Sequence, residues 1–312
     1  MCDVARTDVT AEAFAELFEA VSTWGRWGRD DERGALHYLD PGRVAAAATL
    51  VRDGVSVSLS LPLCTEVAPD CPQPAEHAMT MLADVDIGSG SLRFAKDYVG
   101  VDYHGDGHSH VDALCHVAYR GSLYNGAPAG AVSSDGASVE AIDTLRDGLV
   151  GRGVLLDIPR LRGAKWLEPG EHVVLEDLEA AEAEQDVAVR EGDILLVRTG
   201  HARRLSEHGV WTTSEAKAGL HPAAARFLAA RGVAALGSDG NSDTAPSTTE
   251  GVAFPIHVLA INAMGVHLLD YLQFEDLRAE CERLGRWEFL FVAAPLRIPG
   301  GTGSPVNPIA VL

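Results

Sequence analysis

From residue 153 onward the sequence repeats one texture: short apolar runs at 154–158, 194–197 and 233–236, each bounded by glycine or charge. Runs this short and this continuously apolar fit parallel strands covered on both faces. Between and after them, apolar positions recur at helical spacing over 175–186, 222–230, 257–264 and 275–284. Strands alternating with helices predict an α/β fold around a mixed sheet.

The first half is richer in β signals. Residues 55–61 (VSVSLSL) alternate apolar with small polar side chains, as a strand with one buried face does, and 79–85 and 98–103 are weaker strand candidates. Ahead of them, Phe14, Leu17, Phe18 and Val21 mark a helix over 10–22, an irregular loop covers 24–34, and a second helix runs over 44–51 behind Pro41, with Asp40 as its cap. We expect these to form an N-terminal helical arm of about residues 1–52. At the other end a strand over 289–298 leads into the Gly- and Pro-rich GGTGSPVNP, read as a loop near the site. No internal repeat or linker divides the 312 residues, so one domain, 1–312, is expected.

Composition narrows the function classes. A net charge of −20, from 45 acidic and 25 basic residues, argues against a nucleic-acid partner, because phosphate backbones are bound by clustered Lys and Arg. No apolar run approaches the roughly 20 residues that span a bilayer, so no membrane partner is expected. The opening MCDVARTDVTAEAFAELFEAV carries acids where a signal peptide carries a basic and then an apolar stretch, and a cytoplasmic protein is expected. Cys2, Cys64, Cys71, Cys115 and Cys281 lack CxxC spacing and are expected to be reduced thiols, Cys115 being a small core residue.

One segment concentrates the chemistry. In HGDGHSHVDALCH, four of the twelve histidines (His104, His108, His110, His116) fall within thirteen residues beside Asp106 and Asp112. All six share parity, so an extended chain would project imidazoles and carboxylates from one face. That donor mixture suits divalent zinc, manganese or iron, and a site with about three protein ligands leaves room for water. A bound ion lowers the pKa of that water and polarises a carbonyl, while His116 could move protons. The bland alternative is a histidine-rich strand at a surface or subunit contact; polar groups this dense, if buried, need partners.

HSHVDALCH resembles the signature HxGTHxDxPxH of the metal-dependent cyclase-like amidohydrolases, a family that includes bacterial kynurenine formamidase and isatin hydrolase. WGRWGRDDERG, the YHG and LYNG flanks of the cluster, GLHP at 219–222, LGSDGNSD at 236–243 and PLRIPGGTGSPVNPIAVL are also similar, so the resemblance covers most of the chain. It implies a swivelling β/β/α-type single domain with a mixed sheet or partial β-barrel flanked by helices. It also implies a Zn or Mn cofactor, a small-molecule substrate and a homodimer or homotetramer. Carried over residue by residue, it places metal ligands at His110 and Asp112 and the catalytic histidine at His116. Asp106 stands where the motif has its first histidine; Asp106, His108 and His104 are the alternatives for that ligand, with His108 preferred. Later family ligands, a histidine and a glutamate, fall on His257 and near Asp270; the alternatives are a packed helix-start histidine and a helix cap. Asp239 resembles a family aspartate but equally fits a turn, and Trp24 and Trp27 are candidates for the substrate pocket or for packing.

The function expected is a metal-dependent hydrolase opening an amide or lactone bond of a small cyclic or aromatic molecule. Two alternatives stand beside it: a cyclase, dehydratase or isomerase using the same site, and a non-catalytic metal- or ligand-binding homologue.

Overall fold

The computed structural model describes residues 8–84, 88, 90 and 92–312. In chain order its strands are β1 (Ser56–Ser58), β2 (Glu76–Met81), β3 (Lys96–Gly100), β4 (His110–Asp112), β5 (Val132–Ser133), β6 (Gly136–Ala137), β7 (Leu149–Asp157) and β8 (His172–Val173). They continue with β9 (Ile194–Arg198), β10 (Gly219–Leu220), β11 (Ala235–Ser238), β12 (His267–Asp270), β13 (Glu288–Ala293), β14 (Gly303–Pro305) and β15 (Ile309–Val311). The α-helices are α1 (Ala11–Val21), α2 (Pro41–Ala48), α3 (Ile158–Leu161), α4 (Leu175–Glu184), α5 (His201–His208), α6 (Ala225–Arg231), α7 (Pro255–His257) and α8 (Glu275–Leu284).

Nine strands form one mixed sheet, ordered β1-β15-β13-β7-β9-β11-β12-β4-β14 and curled into a half barrel. Its centre, β7, β9, β11 and β12, is parallel, and antiparallel strands complete both sides. The central strands read as continuous apolar runs because each face meets its own core. Val154, Leu156, Leu195 and Val197 pack with α1, α4 and α6 through Phe14, Leu178 and Phe227. Leu155, Ile194 and Leu196 pack on the other face with Leu59, Leu269, Phe289 and Phe291. Burying a leucine or phenylalanine contributes about 1.5–3 kcal/mol, and this two-sided core fixes the strand register.

Local signals placed several elements. The Thr10 side chain accepts from Ala13 N at the start of α1, and Asp40 accepts from Arg43 N at the start of α2, with Pro41 in the first turn. Other elements depart from expectation. The 289–298 strand stops at Ala293, and the GGTGSPVNP segment supplies strand β14, paired with β4, rather than a free loop. The helix expected over 257–264 is one α turn followed by a π-helix, Val258–Ala263, a geometry frequent at functional sites. Helix α5 was not signalled because its residues, HARRLSEH, include only two apolar side chains, Ala202 and Leu205. Val85, the end of one strand candidate, lies outside the described residues.

The thiol expectation is corrected in one place: Cys64 and Cys71 are joined in a disulfide, a local loop that spacing alone does not distinguish from two free thiols. Cys115 and Cys281 are free and buried, and burial pushes the Cys115 thiol up to about 12. No helix among the described residues is long and apolar enough to cross a membrane.

One buried acid gives the fold a pH dependence. Glu140 is buried at φ +56, its Oε2 has no hydrogen-bond partner, and burial, then the charge of Glu32, push its carboxyl up to about 8. A carboxyl raised on folding binds its proton more tightly in the native state. Its contribution is therefore fully present below the unfolded value near 4.5 and is lost as pH rises through about 8. Glu140→Gln is expected to stabilise the fold more at pH 8 than at pH 5, by a difference on the order of 1 kcal/mol or more in unfolding free energy. An equal effect at both pH values would refute the assignment.

Candidate metal centre

β4 and β12 build the centre. They run antiparallel with His110 opposite Asp270, so His110, Asp112 and Asp270 share a face. Strand parity holds only over His110–Asp112, because Gly107, at φ +92, turns the chain just ahead of β4. His104 therefore arrives from the turn, its Nδ1 3.0 Å from Asp112 Oδ1, while His110 Nε2 lies 3.5 Å from the same oxygen. From the other side, His257 Nε2 lies 3.6 Å from Asp112 Oδ2 and 3.4 Å from Asp270 Oδ2.

The result is two groups sharing one carboxylate: His104, His110 and Asp112, and then Asp112, His257 and Asp270. Within each group the ligand atoms lie within 4.8 Å of one another. Both Asp112 oxygens and Asp270 Oδ2 are buried without a hydrogen-bond partner. Buried carboxylate oxygens without donors are costly, and a cation satisfies them. The imidazoles are pre-aimed: His110 Nδ1 lies 2.8 Å from the His108 carbonyl and His257 Nδ1 lies 2.6 Å from Asp243 Oδ2, leaving each Nε2 facing the carboxylates. Ser242 N and Oγ donate to Asp270 Oδ1 at 3.2 and 2.7 Å, which turns its other oxygen inward. The residues fit a divalent ion held by nitrogen and oxygen donors.

Electrostatics agree. Burial works against the Asp112 carboxylate, but His116, His104, His110 and His257 outweigh it and hold its pKa well below the usual range. Burial also opposes the charged form of His257, yet the Asp243 hydrogen bond and the Asp270 and Asp112 charges raise it to about 9. His116 is pushed down to about 4, chiefly by burial.

His116 follows β4 on a short 3₁₀ turn, Leu114–His116, anchored where Cys115 N donates to the Glu140 carbonyl at 3.1 Å. Its ring stacks on His104 with centroids 3.9 Å apart and lies 6.4 Å from His257. With His257, Val117, Tyr119, Val252 and Phe254 it lines a cavity of about 330 Å³. A neutral imidazole thus stands between the carboxylate cluster and a largely apolar cavity.

The remaining sequence candidates sit elsewhere. His108 is fully buried with Nε2 3.0 Å from the Gln73 carbonyl and belongs to neither group. Asp106 is engaged by Thr213, Lys217 and Tyr271. Asp239 is buried and accepts from Thr199 N and Oγ1, Gly200 N and His201 N, so it holds the β9–α5 turn. Trp24 donates its indole N–H to the Asn262 carbonyl at 2.6 Å, and Trp27 stacks on His37 with centroids 5.3 Å apart; neither lines the cavity beside His116. Sequence reasoning missed Asp243 and Ser242, although both lie in the quoted LGSDGNSD, and it missed Phe254, which no spacing marks.

The putative cyclase family model matches residues 57–243. A crystal structure of a novel cyclase is 33% identical, covering 95% of this chain and 99% of its own, with a TM-score of 0.86. An isatin hydrolase bound to the product analogue thioisatinate is 20% identical over 88% of this chain and 99% of its own, with a TM-score of 0.60. Isatin hydrolase A from Ralstonia solanacearum is 21% identical over 85% and 94%, with a TM-score of 0.58. At those two lower identities the likeness is one of fold. No curated protein matches the chain. With the family model spanning more than half of its residues, the chain belongs to the putative cyclase family.

Proposed function

We propose that this protein is a metal-dependent hydrolase that opens an amide or lactone bond in a small cyclic or aromatic molecule. The observation that carries this reading is the shared Asp112: its two oxygens face separate groups of ligand atoms, buried except for the half-buried His104, beside a cavity lined by Val117, Tyr119, Val252 and Phe254. Isatin hydrolases among the structural neighbours add support, since their names state hydrolysis. When bound, zinc or manganese supplies an acidified water and polarises a carbonyl.

The chain's own residues supply the rest. Asp112 and Asp270 contribute negative charge, and His104, His110 and His257 contribute aimed nitrogens. His116, on the cavity side, accepts a proton from the attacking water and returns it to the leaving group. Its depressed basicity keeps the ring neutral, and so able to accept, at neutral pH. Phe254 and Tyr119 offer aromatic surface to a flat substrate, and the cavity is of a size for a small molecule.

A second reading keeps the residues and changes the reaction to cyclisation, dehydration or isomerisation; the family description and the 33% identical cyclase favour it. Turnover of cyclic amides and lactones in ¹⁸O-labelled water separates the two. Hydrolysis is expected to place solvent oxygen in the new carboxylate of the product and to stop on chelation. Turnover without label in product would transfer the case to the second reading, and full activity in a metal-free preparation would sink both metal-dependent readings.

A further inference from the structure

A second buried polar cluster adjoins the metal groups and has no part in the chemistry above. Thr213 Oγ1 donates to Asp106 Oδ2 at 2.7 Å, and the Tyr271 hydroxyl donates to Asp106 Oδ1. Lys217 Nζ lies 3.5 Å from that same carboxylate oxygen and 3.3 Å from the Tyr271 hydroxyl oxygen. Lys217 is 3% exposed, Tyr271 2% and Thr213 0%. An ammonium so buried is tolerated only with a counter-charge, and among the described residues the Asp106 carboxylate and the Tyr271 phenol supply it. A pair of this kind adds little net stability compared with apolar residues of the same volume, so its effect is better sought in what it orients.

What it orients is Tyr271. This residue follows Asp270 directly and adopts φ +55, a left-handed conformation that a bulky side chain holds only when its surroundings over-determine it. Three contacts do so besides the hydroxyl: Tyr271 N donates to the Gly240 carbonyl at 2.8 Å, its carbonyl accepts from Ser109 Oγ at 2.5 Å, and its ring lies against His110, with centroids 6.4 Å apart and planes 29° from parallel. Tyr271 is therefore tied by the backbone to Asp270 of one group, and by its carbonyl and ring to Ser109, just ahead of β4, and His110 on β4, which carries two ligands of the other group. Its far end is pinned by Asp106 and Lys217.

We propose that Tyr271, anchored through Asp106 and Lys217, is a positioning residue that sets His110 and Asp270 relative to one another and thereby tunes metal affinity at both groups. The proposal rests on the reading that those groups hold metal. It accounts for an acid at position 106 turned to an internal lysine and phenol instead of toward Asp112, while His104 fills the ligand position beside Asp112. Orienting partners one step removed from a metal are typically worth about 10–100-fold in affinity.

The test is a cobalt(II) titration of metal-free wild type, Tyr271→Phe and Asp106→Asn against a competing chelator dye, reading the visible absorption of bound cobalt together with apo melting temperature. Wild type is expected to bind cobalt, and each variant to bind it about 10–100-fold more weakly with a changed visible spectrum. A role in stability alone would lower the melting temperature and leave spectrum and affinity unchanged. Either variant, folded, with the wild-type spectrum and affinity overturns the positioning role. Failure of wild type to bind cobalt would instead remove the metal reading on which the proposal stands. Should Tyr271→Phe not fold, Asp106→Asn, which keeps shape and removes the charge, carries the test.

Discussion

Asp112→Asn is expected to abolish metal binding at both groups and to lower kcat/KM by about 10³-fold or more, with the fold intact. Asp112 alone belongs to both groups, facing His104 and His110 through Oδ1 and His257 through Oδ2. Asparagine keeps the shape but removes the negative charge and replaces one acceptor with a donor, which repels a cation. The remaining carboxylate, Asp270, reaches only the second group. Loss of several kcal/mol of transition-state stabilisation corresponds to about three decades in rate at 1.36 kcal/mol per decade. Elemental analysis of purified wild type and variant, with turnover of whichever cyclic amide or lactone the labelled-water assay identifies, decides the matter. A variant with full metal content would remove Asp112 from its central role.

Much of the fold was legible because it follows from patterns with a fixed period. The continuous apolar runs at 154–158 and 194–197 can be buried only on both faces, and β7 and β9 are buried in that way between two cores. The cap at Asp40 marked the start of α2, because a short oxygen-bearing side chain satisfies the first free N–H groups. Less legible were elements whose formation depends on a distant partner. β14 is three residues long, and its Gly303-Ser-Pro305 has no strand pattern; it exists because β4 lies beside it. The π-helix behind His257 is likewise an outcome of tertiary context.

The site divides along the same line. Density of histidine and aspartate marked 104–116, and within it the 110/112 pair needed only strand parity. The roles of His104 and His108 turned on Gly107, which breaks the extended geometry and brings His104 to Asp112 while His108 faces the Gln73 carbonyl. Nothing in the spacing of residues 104–112 distinguishes those outcomes. His257 and Asp270 came from the family resemblance, and the structure brings both to Asp112. Asp243, which aims His257, sits on the loop after β11, where functional residues of parallel sheets concentrate.

Gly303→Ala is expected to empty the His104 group selectively. Gly303 pairs with Asp112 across β14 and β4, and a methyl group added there would lie 2.6 Å from the Val111 carbonyl oxygen and 2.8 Å from His104 Cε1. Real side chains do not tolerate such separations, so β14 must give way at the Val111 carbonyl and the imidazole must swing away. The ring is the softer element, although it is held by Thr302 Oγ1 at 3.0 Å and by the stack on His116 at 3.9 Å. The ring's movement takes His104 Nδ1 from Asp112 and loosens the support behind His116, while Asp112, His257 and Asp270 remain together. Overpacking of this kind costs about 1–3 kcal/mol, so the protein folds with a lowered melting temperature. Metal titration should then show one equivalent near wild-type affinity and one weakened at least about tenfold. A double-mutant cycle with His104→Ala isolates the cause: if the glycine acts by admitting the imidazole, the double variant binds metal no worse than His104→Ala alone. Additive losses in that cycle, or two unchanged equivalents in Gly303→Ala itself, would separate the glycine from the metal centre.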